Sequence, residues 1–261
     1  MTGVLTRVAR VQQVMGMPVS IHLRGTAGPT ARAAAVDAVY AELREVDRLF
    51  STYTPDSEIS RLGRGEVTVD DCDPLVSEVL ALADDARRRT GGYFDVHLPD
   101  RAGTRRLDPS GLVKGWAAER AARHLTALVG DDHYLNAGGD IALRSAGDEP
   151  GWRVGIEDPD SPGTVLGVVR VASGGVATSG TAHRGTHLVD PTTGRAATAL
   201  RSVTVVGPSL LWADVYATAA FARGSGAVDW LASLDGYAGL VVTRTGGLHL
   251  TERMHELFTG R

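Results

Sequence analysis

The sequence predicts an α+β fold in which mixed or antiparallel sheets pack against helices. Strand-like segments rich in Val, Ile and Leu mostly occur in pairs joined by glycine-containing turns, which indicates hairpins. Helical segments interrupt them at irregular intervals, whereas a doubly wound parallel sheet would alternate strand and helix. No short repeat or linker-like run divides the 261 residues, so we expect one domain over residues 1–261.

The composition is that of an ordinary globular protein, and its charge indicates no particular partner. The formal net charge is only −4 and no basic block stands out, so nucleic acid is not an expected partner. No stretch approaches the roughly 20 apolar residues that span a bilayer, so we expect no membrane span. No signal-peptide core or lipoprotein leader is visible, which favours a cytoplasmic location. The one cysteine, Cys72, lies among aspartates that would raise a thiol pKa, so a structural role is expected.

Apolar residues at helical spacing predict five helices, over residues 29–50, 74–90, about 113–128, 209–224 and 227–235. Pro29 stands near the start of the first helix, and Thr30 is its possible cap. The residues expected to face inward from the first three helices are Val36, Val39, Tyr40, Leu43, Val46, Leu49, Phe50, Leu75, Val79, Leu80, Leu82, Trp116, Ala117, Leu125 and Leu128.

Strands or hairpins are predicted over residues 8–23, 133–145, 151–159, 164–180, 201–208 and 237–251. The polar, glycine-containing segment 51–66 is expected to be loop or a short helical turn.

The segment LDPSGLVKGWAAER is a candidate phosphate site. Asp108 and Ser110 precede a predicted helix whose first turn contains Lys114. Exposed N–H groups at a helix start favour an anion, and a nearby lysine adds positive charge. An ordinary N-cap followed by a solvated lysine would give the same pattern.

Two further segments place polar side chains beside glycine turns. In YLNAGGDIAL, Asn136 and Asp140 flank two glycines that would let the backbone approach a ligand, although a tight hairpin turn explains them equally well. The segment ATSGTAHRGTHLVDPTTG gathers Thr178, Ser179, His183, Arg184, His187 and Asp190. A Ser-His-Asp hydrolase is conceivable there, but no GxSxG elbow accompanies it.

The segment WADVYATAAF is a candidate metal site. Asp214 and Thr218 are four residues apart, so a helix places them on one face. A carboxylate and a hydroxyl together suit Mg²⁺, which prefers oxygen ligands and keeps several waters. The alternative is a solvated or capping aspartate and a threonine that bonds back to its own helix.

Taken together, these segments resemble the ApbE family of FAD:protein FMN transferases over about residues 14–224. Each motif is weak alone, but their shared order is specific. The matching stretches, in order, are MGM, STYTPDSEISRL, GGYFD, DPSGLVKGWA, NAGGD, ATSG, HLVDPTTG and SVTVVGPSLLWADVYATAAF. The resemblance implies an ApbE-like α+β fold and a Mg²⁺-dependent enzyme that uses FAD as substrate.

The resemblance also implies roles for particular residues. The implied contacts to FAD are Met15, Tyr53, Tyr93, Phe94, Asp95, Asp108 and Lys114, with His187 and Asp190 near the flavin or the pyrophosphate. Asp214, Thr218 and the main-chain carbonyl of Gly111 are the implied Mg²⁺ ligands. The residues expected to act in catalysis are Lys114, Asp214 and His187, the last as general base because an imidazole titrates near neutral pH.

The implied reaction transfers FMN from FAD to a Ser or Thr hydroxyl of an acceptor flavoprotein and releases AMP. The resemblance implies that this hydroxyl lies in a short flavinylation motif. A Mg²⁺-dependent FAD pyrophosphatase, which gives FMN and AMP, would use the same site, and a non-catalytic FAD-binding protein is a second alternative.

The chain departs from the family pattern at three positions. Val113 replaces an alanine before the lysine, Ala182 replaces a tyrosine after ATSG, and Ala217 replaces an aspartate that some members carry before the metal threonine. The loop from Arg184 to His187 is also short.

Overall fold

The computed structural model describes residues 6–99, 105–145, 147, 151–161, 163–181, 189–190 and 194–260. The described strands are β1 (Thr6–Val14), β2 (Met17–Gly25), β3 (His97–Pro99), β4 (Arg105–Leu107), β5 (Asp131–Ala137), β6 (Asp140–Arg144), β7 (Trp152–Glu157), β8 (Val165–Val171), β9 (Ser173–Gly180), β10 (Val189–Asp190), β11 (Arg195–Ala196), β12 (Leu200–Gly207), β13 (Ala238–Thr243), β14 (Leu248–Leu250) and β15 (Phe258–Gly260). The described α-helices are α1 (Pro29–Phe50), α2 (Glu58–Gly63), α3 (Pro74–Arg89), α4 (Ser110–Thr126), α5 (Leu210–Arg223), α6 (Ala227–Ala232) and α7 (Glu252–Leu257).

An eight-stranded sheet forms the centre of the molecule, in the order β1-β2-β5-β6-β9-β12-β13-β14. Every neighbouring pair in it is antiparallel. Short 3₁₀ turns at Val69–Asp71 and Gly224–Gly226 connect elements on the helical side. The predicted α+β class with antiparallel sheets is therefore confirmed.

The two faces of this sheet bury different cores. Helices α1, α4 and α5 cover one face, while α7 and the small sheet β15-β8-β7 cover part of the other. Successive side chains on a strand point to opposite faces, so neighbours divide between the two cores. In β9, Ala177 packs into the helical core and Val176 into the core beneath the small sheet.

The first helix was predicted correctly in its bounds and in its apolar stripe, all of which is buried. The predicted cap, Thr30, was wrong. Gly28 is the N-cap and makes no side-chain capping bond, while Thr30 lies inside the first turn. In α3, Val79 is buried as predicted, whereas Leu75, Leu80 and Leu82 are only partly buried. The inward side of α3 instead consists of Val76, Val79, Ala83 and Ala86.

The fourth helix begins three residues before the predicted start. The carbonyl of Pro109 accepts hydrogen bonds from the N–H groups of Leu112 and Val113, both at 2.9 Å, and these bonds begin α4. Lys114 consequently lies in the second turn of the helix and not in the first. The elements α7 and β15 were not predicted, because six-residue and three-residue segments show too little periodicity.

His133 on β5 makes the stability depend on pH. Its side chain is buried, and burial, followed by the charge of Arg144, lowers its pKa from 6.5 to about 4. The imidazole of His133 therefore binds a proton more readily in the unfolded chain than in the folded one. Its contribution to the free energy of unfolding is complete above pH 6.5 and is lost as the pH falls towards 4. A depression of this size corresponds to about 3 kcal/mol.

Replacing His133 with leucine is expected to remove that pH dependence. Between pH 7 and pH 4.5, the wild-type free energy of unfolding should fall by about 2 kcal/mol more than that of the variant. Urea unfolding at the two pH values measures the difference. The exposed His255 supplies the control variant His255→Gln, and an unchanged pH slope in His133→Leu would show the prediction to be wrong.

Candidate active site

The candidate site lies along one edge of the large sheet. The β1–β2 turn at Met15 and Gly16 and the β5–β6 turn at Gly138 and Gly139 lie side by side on this edge, because β2 and β5 are antiparallel neighbours. The N–H group of Gly138 donates to the Pro18 carbonyl at 3.1 Å and joins the β5–β6 turn to the start of β2.

The β5–β6 turn requires glycine at Gly138. Its φ is +59°, and a Cβ there would stand 2.8 Å from the Met17 sulfur. The glycine pair also brings Asp140, the first residue of β6, to the helical side of the edge. The N–H group of Thr178 on β9 donates to Asp140 Oδ1 at 3.1 Å and fixes this carboxylate.

Lys114 joins the sheet edge to the helices above it. Its Nζ lies 2.5 Å from Asp140 Oδ2 and 3.8 Å from Asp214 Oδ1 on α5. The exposed fractions of these three side chains are 17% for Lys114, 2% for Asp140 and 3% for Asp214, so the charges interact with little screening by water. One ammonium thus stands between two carboxylates that are far apart in the sequence.

Thr218 completes this cluster one turn after Asp214. Its hydroxyl lies 3.0 Å from the Ser179 hydroxyl on β9, so α5 and β9 meet here. Asp214 and Thr218 therefore lie one turn apart on the same face of α5, as predicted. We call Lys114, Asp140, Ser179, Asp214 and Thr218 the polar cluster.

Asp140 and Ser179 belong to the motifs NAGGD and ATSG but are not among the predicted site residues. The NAGGD turn was the signal for Asp140, since its glycines bring the following carboxylate to the sheet edge. Ala217, the departure before Thr218, is fully buried in the helical core. An aspartate in its place would bury a carboxylate among apolar side chains.

Phe94, in the Tyr93–Asp95 segment, packs against the start of α4. The Phe94 ring lies 3.6 Å from the position that a Cβ on Gly111 would take. Asp108 accepts the Ser110 N–H at 3.0 Å, and its own N–H donates to the Val96 carbonyl. Because Asp108 already bonds an N–H group at the helix start, the anion site predicted there is smaller than the sequence suggested.

Of the other predicted FAD contacts, Asp95 and Tyr93 have side-chain partners within the protein, and Tyr53 is exposed. Asp95 is 6% exposed and pairs with Arg105 at 2.5 Å and with Arg87 at 3.3 Å. The guanidinium of Arg223 stacks on the Tyr93 ring, 4.3 Å from its centre. Tyr53, in the turn after α1, is 95% exposed and presents its ring to solvent.

Met15 adopts an unusual backbone conformation. Its φ of +54° is in the left-handed region, where only this non-glycine residue is found among the described part of the chain. Such a conformation costs on the order of 1–2 kcal/mol and is often found at functional sites. Its side chain is partly buried against the helical core.

Two predicted site residues, His187 and Asp190, have no described side-chain position relative to the polar cluster. His187, together with Ala182, His183 and Arg184, lies outside the described residues, so its role as general base stays a prediction. The backbone of Asp190 lies in β10, which packs beside α5.

The donor chemistry of the cluster fits a hard cation. Within the described ranges, no group of three or more His, Cys, Asp or Glu side chains could hold a metal ion. The Asp214 carboxylate and the Thr218 hydroxyl are both oxygen donors, and Mg²⁺ commonly binds through one or two carboxylates, water and substrate phosphates. Cys72 offers no alternative, since burial, followed by the charges of Glu58 and Asp71, raises the pKa of its thiol.

None of the helices in the described part of the chain has the length and apolarity that a bilayer crossing requires.

Comparison with known proteins identifies the family. The ApbE family model matches residues 15–101 and 97–241. The chain is 32% identical over 166 residues to the FAD:protein FMN transferase of Escherichia coli, covering 59% of this chain and 46% of that protein. It is 31% identical over 198 residues to the Salmonella typhimurium protein of the same name, covering 67% and 56%. The chain therefore spans about half the length of these curated relatives.

The fold of the chain is also that of a solved relative. The crystal structure of the ApbE protein from Thermotoga maritima superposes with a TM-score of 0.85 at 20% identity, covering 97% of this chain and all of the other. Since the family match covers most of the sequence, the chain belongs to the ApbE family.

Proposed function

We propose that this protein is an FAD:protein FMN transferase. The observation that carries the proposal is the polar cluster, in which residues from α4, β6, β9 and α5 meet at one edge of the sheet. The names of the curated relatives support the same activity. We further propose that residues 1–261 act as one domain, with FAD and an acceptor flavoprotein as partners and a cytoplasmic location.

The reaction would attach FMN through a phosphoester. An acceptor Ser or Thr oxygen forms a bond to the FMN-side phosphorus of FAD, and the bond from that phosphorus to the AMP oxygen breaks. The hydroxyl proton passes to a base, for which His187 is our first candidate and Asp190 the second. AMP leaves as an anion, so a strong general acid is not needed.

The cluster would act on the pyrophosphate of FAD. A magnesium ion held by Asp214, Thr218 and the Gly111 carbonyl would neutralise charge on the phosphate oxygens. Lys114 adds positive charge on the same side, and Asp140 holds its ammonium in place at 2.5 Å. Met15, Tyr53 and the residues Tyr93, Phe94, Asp95 and Asp108 are proposed to bind the remainder of FAD.

Mass spectrometry of a transfer reaction tests this function. The pure protein is incubated with FAD and Mg²⁺, with and without a domain that carries a Ser/Thr flavinylation motif. We expect the acceptor to gain the mass of FMN, AMP to be released and EDTA to block both. Free FMN and AMP without acceptor modification would indicate the FAD pyrophosphatase, and intact bound FAD would indicate a non-catalytic FAD-binding protein.

A further inference from the structure

The packing of α5 on α4 fixes where the proposed metal ligands lie. The two helices run antiparallel, since Glu119 of α4 meets the start of α5 while Gly115 and Lys114 meet Asp214 one turn later. A helix rises about 1.5 Å per residue, so a slip of one residue would carry Asp214 away from Lys114 by that distance. Contacts that prevent this slip therefore control the geometry of the site.

Glu119 holds the start of α5. Its Oε2 accepts hydrogen bonds from the Ser209 hydroxyl at 2.7 Å and from the Leu211 N–H at 3.0 Å. Ser209 is the N-cap of α5, and its Oγ in turn accepts the Trp212 N–H. A carboxylate from α4 thus satisfies an N–H group that has no partner within α5, at the helix end where negative charge is favoured.

Gly115 sets the distance between the same two helices. A Cβ at this position would lie 3.0 Å from the Asp214 Cβ, 3.1 Å from its Oδ2 and 3.2 Å from the Leu210 carbonyl. Atoms at those separations must move by a few tenths of an ångström. The hydrogen atom of glycine is therefore what lets the Asp214 side chain lie directly on α4, next to Lys114.

We propose that Glu119 and Gly115 are positioning residues for the cation site. Glu119 sets the register of α5 along α4, and Gly115 sets the close approach, so that Asp214 and Thr218 are held where a divalent cation can bind. Neither residue touches the reacting atoms. This inference rests on the proposed function, because it takes Asp214 and Thr218 to be the ligands.

Binding of Mn²⁺, a spectroscopic substitute for Mg²⁺, tests the proposal without relying on activity. The electron paramagnetic resonance signal of unbound Mn²⁺ is measured during titration of the full chain in the presence of FAD. It gives the dissociation constant of the complex between Mn²⁺ and the protein. We expect Glu119→Ala and Gly115→Ala each to raise it about tenfold, as is usual when residues that orient metal ligands are changed. Glu119→Gln keeps an oxygen acceptor for the two α5 donors, so its Mn²⁺ dissociation constant should stay well below that of Glu119→Ala.

Matched variants separate positioning from general damage. Glu78 of α3 also contacts α4, where its Oε1 accepts a hydrogen bond from the Trp116 indole N–H at 3.0 Å. This contact does not involve α5, so Glu78→Gln should leave Mn²⁺ binding unchanged. At Gly63 an added Cβ would meet only Leu107 at 3.9 Å, and Gly63→Ala should also bind normally. Alanine is the better helix former, so weaker binding in Gly115→Ala would not come from a weakened α4.

The outcomes distinguish this inference from the proposed function. Wild-type protein that binds no Mn²⁺ would overturn the function, and the positioning role with it. Wild-type protein that binds Mn²⁺, with Glu119→Ala and Gly115→Ala binding equally well, would overturn the positioning role alone. Loss of binding in Glu119→Gln to the same extent as in Glu119→Ala would also contradict it, because the hydrogen-bond acceptor would then not be the cause.

Discussion

Replacing Asp214 with asparagine is expected to lower the Mg²⁺-dependent rate of FMN transfer by about a thousandfold. Asp214 is the only carboxylate among the three proposed ligands, and a bound metal ion contributes several kcal/mol to stabilising charge in the transition state. Asparagine has nearly the same shape, so it still fits against Gly115, where the space is tight. The measurement is the initial rate of AMP release at saturating FAD and acceptor.

The fold should survive this change. Lys114 keeps its ion pair with Asp140 at 2.5 Å, so its ammonium retains a close carboxylate after Asp214 is neutralised. Thermal unfolding of Asp214→Asn should therefore resemble that of the control Asp229→Asn, which changes an exposed aspartate on α6. Transfer at the wild-type rate in Asp214→Asn would remove Asp214 from the metal site.

The sequence was informative where a pattern is local. The stripe of α1 and the hairpin turns of the large sheet follow from spacing and glycine alone, and these elements lie where they were predicted. The start of α4 was misplaced because Ser110 and Gly111 are poor helix formers, whereas the Pro109 carbonyl begins the helix regardless. The order of strands in the sheet has no local signal and could not be predicted.

The site shows the same division between local and long-range information. Asp214 and Thr218 share a helix face, so their proximity follows from a spacing of four residues. The pairing of Lys114 with Asp140 joins α4 to a sheet edge and depends on how the two elements pack. Periodicity cannot reveal such a contact, so Asp140 is not among the predicted site residues although it ends the NAGGD motif.

Replacing Lys114 with methionine is expected to damage both stability and activity. Asp140 would keep the Thr178 N–H but lose the ammonium at 2.5 Å, which leaves a carboxylate that is almost inaccessible to water without its countercharge. Breaking a buried pair in this way costs about 3–5 kcal/mol. For a chain of this size, the melting temperature should fall by about 10 °C. The exposed pair of Arg48 and Glu45 gives the contrast, since water screens this ion pair and Arg48→Met should leave the melting temperature nearly unchanged.

A double variant separates the two effects of the lysine. Adding Asp140→Asn to Lys114→Met removes the buried charge while the amide oxygen can still accept the Thr178 N–H, so most of the lost stability should return. The rate of FMN transfer should stay about a hundredfold or more below wild type, because the positive charge facing the phosphates is still missing. Differential scanning calorimetry and the AMP-release assay on the same preparations measure both quantities. If the double variant recovered its activity together with its stability, Lys114 would be a structural counterion of Asp140 and not a catalytic residue.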